Sequence, residues 1–298
     1  MTNRYTRDSG VRVTSCDSWD DFIQALRITK KEPSSPRIYR GHADPDWKLS
    51  STWERYLEKL DELVDGPRRR RFFNPERYSQ NRNQWLRRFT QLTTTMPEMP
   101  LHVLDPNSPE SEKWAFGRHY GLKTPLLDWS RSPFIACFWA VMERVTDDNP
   151  DLDIPRPGMR LKTTNEPIIV WELSIPDNIF IKGQFELVDN MRYELHRQRA
   201  QSGVFTHLEH EDYIDIEGYL KSRSIGSYLE RYEVPLSTEI EICTALSDLQ
   251  RMNINYATLF PDAHGAAMQS NLSFMLDWLI RKASKEEPSW DGESLSMD

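Results

Sequence analysis

Four short stretches of this chain gather side chains that can hold or transform a small molecule. In Tyr39-Arg40-Gly41-His42 an arginine closes a short strand beside a glycine. Its planar guanidinium is a two-pronged donor for carboxylate or phosphate, and the glycine leaves backbone open to a ligand. The plainer alternative is an arginine paired with an acid at the edge of the core. The second stretch runs from Arg118 through His119, Tyr120, Gly121 and Asp128-Trp129-Ser130 to Ser132-Pro133. It reads as a glycine turn leading to a capped helix start, where free N–H groups favour anions. Alternatively, Asp128 caps or pairs locally while Trp129 packs. The third, His196 to Phe205, joins a basic helix end to a strand through Gly203. The fourth, His207-Leu208-Glu209-His210-Glu211-Asp212, is rich in potential ligands but fits no metal template: it is not HExxH and lacks a third ligand at a usable spacing. No GxSxG, P-loop or GxGxxG motif stands in a usable context. Arg68-Arg69-Arg70-Arg71 beside Phe72-Phe73 reads as a solvated face, or as a basic and aromatic contact for nucleic acid.

The elements that must position these groups follow from periodicity. Residues 1–14 are polar and are expected to form an extended lead-in. Trp19, Phe22, Ile23 and Leu26 recur at helical spacing behind Asp17 or Ser18 as cap. Residues 37–41 read as a strand, 53–95 as largely helical, and 96–112, with four prolines, as a loop. Ser132-Pro133 opens a helix over 133–145 with Ile135, Phe138, Trp139 and Met142 on one face. The acidic, proline-bearing segment 147–158 is expected to be a mobile linker and the boundary between halves. Beyond it, 168–173, 203–206 and 228–234 read as strands. Thr238 and Glu241 form a capping box before a helix, and Met268, Leu272, Met275, Leu276 and Leu279 stripe the last one, about 264–282. Helices first and strands concentrated after residue 165 suggest an α+β fold.

Composition bounds the reading. The 298 residues carry 38 Lys+Arg against 46 Asp+Glu, a net charge of −8, which argues against broad nucleic-acid binding. Aromatics at 11% exclude a disordered chain. Three distant cysteines, Cys16, Cys137 and Cys243, supply neither a disulfide framework nor a CxxC metal site. Without a membrane-length apolar run or a secretory h-region, the chain reads as soluble and cytoplasmic.

Taken together, Tyr39-Arg40-Gly41, His119-Tyr120-Gly121 with Thr124, Leu126-Leu127-Asp128-Trp129-Ser130 and Ser132-Pro133 with Ala136, Phe138 and Ala140 resemble the FRG domain family. Gln201-Ser202-Gly203-Val204-Phe205 is similar to a later element of that family, and Leu259-Phe260-Pro261-Asp262 with Gly265-Ala266-Ala267 to its closing stretch. The resemblance covers about residues 17–282. It implies a single domain over 1–298, with a helical part to about 146, a strand-rich part at 159–282 and a polar tail from 283. Through the order of its elements it further implies an ADP-ribosyltransferase-like fold, α+β with a small mixed or antiparallel sheet surrounded by helices. NAD would then be the substrate, bacterial anti-phage defence or a toxin-like system the role, and a macromolecule a candidate acceptor. By that analogy Arg40, His119, Tyr120, Asp128 and Gln201 would be catalytic. Tyr39, Arg40, Gly41, His119, Tyr120, Trp129, Ser130 and Phe205 would line the cofactor. Gln201 stands where a catalytic Glu would be, so Asp128 or a Glu from 209–211 must supply negative charge, or the domain binds without catalysing. Arg118 and Pro125 depart from the family pattern, in which Gln and a basic residue are usual. The expected arrangement is one concave site uniting Arg40, His119, Tyr120, Asp128 and Gln201.

Overall fold

The computed structural model describes residues 2–5, 10–28, 35–63, 75–96, 105, 107–147, 159–176, 178–189, 196–209 and 215–283. The fold is α+β. Eight strands form one mixed sheet in the order β1-β2-β10-β7-β3-β4-β9-β8. These are β1 (Thr2–Tyr5), β2 (Arg12–Ser15), β3 (Arg37–His42), β4 (Leu126–Ser130), β7 (Ile168–Ser174), β8 (Phe185–Val188), β9 (Gly203–Leu208) and β10 (Leu229–Val234). Among the described strands only β10 and β2 run parallel. Two further strands, β5 (Val145–Asp147) and β6 (Met159–Leu161), pair antiparallel across the ends of the acidic segment, whose residues 148–158 lie outside the described ones. The basic run Arg68–Arg71, with Phe72 and Phe73, also lies outside them, as do His210, Glu211, Asp212 and the tail from 284.

The expectation that strands concentrate after residue 165 is corrected: β1 to β4 all precede residue 131, and β3 pairs with β7 over six positions. The extended lead-in at 1–14 contains two of these strands. β4 was missed although Leu127-Asp128-Trp129-Ser130 alternates apolar and polar, because the run is short and reads equally as a polar turn into the helix that Ser132-Pro133 opens.

Alternation on β7 shows how the layers form. Ile168 and Val170 point to one face, and Ile169, Trp171 and Leu173 to the other, all fully or almost fully buried. The first face is covered by α1 (Trp19–Ile28), α5 (Pro133–Met142), α8 (Glu239–Arg251) and α10 (Ala263–Ala283). The second packs against α7 (Ile216–Ser222) and Leu49. A separate apolar cluster joins Leu126 of β4 and Phe205 of β9 to α3 (Pro75–Thr93) and α4 (Glu110–His119). A short α2 (Thr52–Glu62) begins in a capping box of Ser51 and Glu54 and stacks Trp53 on Trp85 of α3.

Gly41 has a packing purpose rather than a ligand-access one. A Cβ there would lie 1.9 Å from the Ala136 carbonyl oxygen and 2.9 Å from Ala140 Cβ. Its missing side chain is what lets α5 lie directly on β3.

Candidate functional site

β3 and β4 are sheet neighbours that share one registered pair, Tyr39 with Ser130. Past that pair, the Arg40 side chain stands in for a ladder bond: Nη1 donates to the Asp128 carbonyl at 2.8 Å. Above this gap, between the helices over β3 and those over β4, opens a cleft of about 480 Å³. That volume lies within the ordinary range for small-molecule sites.

The cleft floor is a charge network. Arg40 Nε donates to His42 Nε2 at 2.9 Å, which requires a neutral imidazole protonated on Nδ1. Burial and the adjacent Arg40 and Arg55 charges hold the His42 pKa far below its ordinary value, in agreement with that tautomer. Arg40 Nη1 also lies 3.6 Å from Asp128 Oδ2. Arg118 grips the Asp128 carboxylate with Nε and Nη2 together, a bidentate pair. Its Nη1 donates to Thr52 Oγ1 at 3.3 Å and to the Leu126 carbonyl at 3.4 Å. Burial, then repulsion from Arg55, brings Arg40 down to about 10; burial, then Arg40 and Arg55, brings Arg118 to about 9. Glu143 opposes the Arg40 shift by favouring the charged guanidinium form.

The walls come from the middle and the later part of the chain. α5 contributes Ile135, Ala136 and Trp139, and Glu143 follows at its C-terminal cap. α6 (His196–Ala200) and the turn after it contribute Arg197, Gln198 and Gln201, and β9 contributes Gly203, Val204 and Phe205. Phe260, after α9 (Tyr256–Leu259), meets Trp139 edge-to-face at 5.6 Å. Arg197 lies over the Phe260 ring at 5.0 Å and pairs with Asp262 at 2.6 Å. Trp139 and Phe260 therefore form an aromatic wall with Arg197 laid against it, while Arg40, Arg55 and Arg118 gather at the floor.

The expected site residues divide. Tyr39, Arg40, Gly41, Asp128, Trp129, Ser130, Gln201 and Phe205 all border the cleft. Several have local employment, however. The Ser130 hydroxyl donates to the Gln201 carbonyl at 2.8 Å and accepts from the Ser132 N–H at 3.0 Å, tying β4 to the α6 turn. Trp129 sends its indole into the core, where Nε1 donates to Thr206 at 2.8 Å. Tyr39 is buried, and its hydroxyl engages Glu172. Gln201 Nε2 donates to the Leu259 carbonyl at 3.3 Å. Tyr120 is not among the lining residues: it is 69% exposed, and its ring stacks on Phe116 at 5.0 Å. His119 ends α4, and its side chain lies outside the described set. Glu209 is not in the cleft either, being paired with Arg82 at 2.6 Å. Sequence reasoning missed Arg55, Glu143 and Trp139 as lining groups, whereas Arg197 lies in the third stretch it singled out. Arg55 and Glu143 sit on ordinary helix stretches without a motif, and only tertiary packing brings them here.

Residues 35–149 match the family model of the FRG domain. The FRG stretch supplies Tyr39, Arg40, Gly41, Arg55, Arg118, Asp128 and Glu143. The Arg197–Phe205 wall and Phe260 come from beyond it. No curated protein and no solved structure matches the chain. No described helix is long and apolar enough to cross a membrane. Among the described residues no group of three or more His, Cys, Asp or Glu side chains is placed to hold a metal ion.

Proposed function

We propose that the cleft binds NAD and cleaves its nicotinamide–ribose bond, releasing nicotinamide and passing ADP-ribose to water or to an acceptor. The observation that carries this reading is the pairing of an aromatic wall with three floor arginines, Arg40, Arg55 and Arg118, against two carboxylates, Asp128 and Glu143. Flat rings stack on the first side, and a pyrophosphate is held by the second. Breaking an N-glycosidic bond builds oxocarbenium character on the ribose, which a nearby carboxylate stabilises. Asp128 has its charge committed to Arg118 and Arg40, and Gln201 carries none. Glu143 makes no ion pair among the described residues, and burial raises its pKa, with Arg40 and an N–H from Ala43 acting the other way. It is therefore the carboxylate assigned to the developing cation. Depleting NAD or modifying an acceptor would serve the defence or toxin-like role that the FRG resemblance implies.

The test incubates the protein with NAD and measures free nicotinamide, with binding followed by calorimetry. Glu143→Gln should lower turnover by roughly 100- to 1,000-fold, with NAD affinity changed only a few-fold. A second reading is a non-catalytic nucleotide-binding module, favoured by the double arginine hold on Asp128 and the neutral Gln201. NAD binding by the wild type without nicotinamide release establishes that reading instead.

A further inference from the structure

The guanidinium groups in the cleft are not equivalent. Arg40 commits Nε to His42 and Nη1 to Asp128. Arg118 commits all three nitrogens to Asp128, Thr52 and Leu126. Arg197 commits Nε and Nη2 to Asp262. Arg55, in the first turns of α2, has a single described bond, from Nη1 to the Ser50 carbonyl at 3.2 Å, and makes no ion pair among the described residues. It is half-buried and borders the cleft. A partly desolvated cation with carboxylates nearby but none at ion-pair distance is only partly compensated, and an anionic ligand relieves it.

We infer that Arg55, rather than the motif arginine Arg40, receives the ligand's phosphate and sets the specificity of the cleft for phosphate-bearing nucleotides over nucleosides. This rests on the nucleotide-binding reading above, but not on cleavage. Arg40 is then a positioning residue: with His42 it fixes the Asp128 main chain at the gap between β3 and β4. Arg55 can offer Nε and Nη2 as a parallel pair, the geometry that matches two oxygens of one phosphate. Burial lowers the Arg55 pKa, while Glu54, Glu143 and Glu58 favour its charged form. It faces Arg40 and Arg118 across the cleft floor as like charges, which a bound phosphate would screen.

The experiment titrates ADP-ribose and adenosine into the wild type, Arg55→Ala and Arg55→Lys, at low and high salt, and follows nicotinamide release from NAD separately. Wild-type protein should bind ADP-ribose well and adenosine weakly. Arg55→Ala should lose 10- to 100-fold of ADP-ribose affinity, keep its adenosine affinity and show a shallower salt dependence. Arg55→Lys, retaining charge without the fork, should fall between them and also controls for folding. Unchanged ADP-ribose affinity in Arg55→Ala, or an equal loss for adenosine, overturns the inference even if NAD is cleaved. ADP-ribose bound through Arg55 without nicotinamide release overturns cleavage and leaves the inference standing. A wild type that binds neither probe overturns both.

Discussion

At the scale of single residues, Asp128 is the counter-charge for a crowded floor, and this changes what its substitution should do. Asp128→Asn removes a charge that two arginines share while leaving both largely buried. We expect it to cost about 1.5–3 kcal/mol of stability, measured by urea unfolding, because hydrogen bonds to charged groups are worth that much. Full stability in Asp128→Asn would mean that the arginine pair does not depend on it. The Tyr-Arg-Gly and Leu-Leu-Asp-Trp-Ser motifs fall on paired strands that border one cleft. What they could not reveal was division of labour: whether Ser130 faces a ligand or ties down the 201 turn depends on a partner 71 positions away. Nor could they find Glu143 or Arg55, which carry no motif and reach the cleft only through tertiary packing.

Elements with capping chemistry and strong periodicity were legible: the helices starting at Trp19, Pro133 and Glu239 and the strands at Ile168 and Leu229 lie where the spacing places them. The short strand β4 and the helices Glu110–His119 and Ile216–Ser222 were not, because their faces are settled by neighbours distant in sequence. Two predictions belong to this scale. Gly41→Ala drives a methyl group into the backbone of α5 and should destabilise by about 1–3 kcal/mol or more, read as a lowered melting temperature. A neutral effect there would show that α5 can shift off β3. The second concerns the α2 cap. Glu54, 7% exposed, accepts from Ser51 and from the Tyr78 hydroxyl, and burial pushes its carboxyl up to about 7. An acid whose folded pKa is raised binds its proton more tightly when folded. Its contribution is therefore complete below about pH 4.5 and is lost as pH rises through about 7. Glu54→Gln should flatten the stability-versus-pH curve across that window in denaturant titrations. A parallel slope in variant and wild type would remove Glu54 as its source.

Over the whole molecule, the three thiols report on global opening. Cys16, Cys137 and Cys243 are all buried, and burial lifts Cys16 to about 12 and Cys243 to about 11, with Cys137 higher still. At neutral pH a thiol reagent should modify none of them until denaturant unfolds the chain, and modification should track the loss of helical circular dichroism. Rapid labelling of one cysteine under native conditions would reveal a local opening that the packing does not suggest. The meeting of β3 and β4 has a mechanical consequence. Five strands, β1 to β3 with β7 and β10, are laddered to one another, as are β4, β9 and β8, and one registered pair joins the two sets. The sheet is thus two plates stitched by that pair and by the Arg40 side chain on Asp128, with the cleft lying over the seam. A molecule that touches both plates acts as a clasp, and its grip should register as slowed amide exchange along β3 and β4, far more than along β7 and β10 where the weave is already continuous.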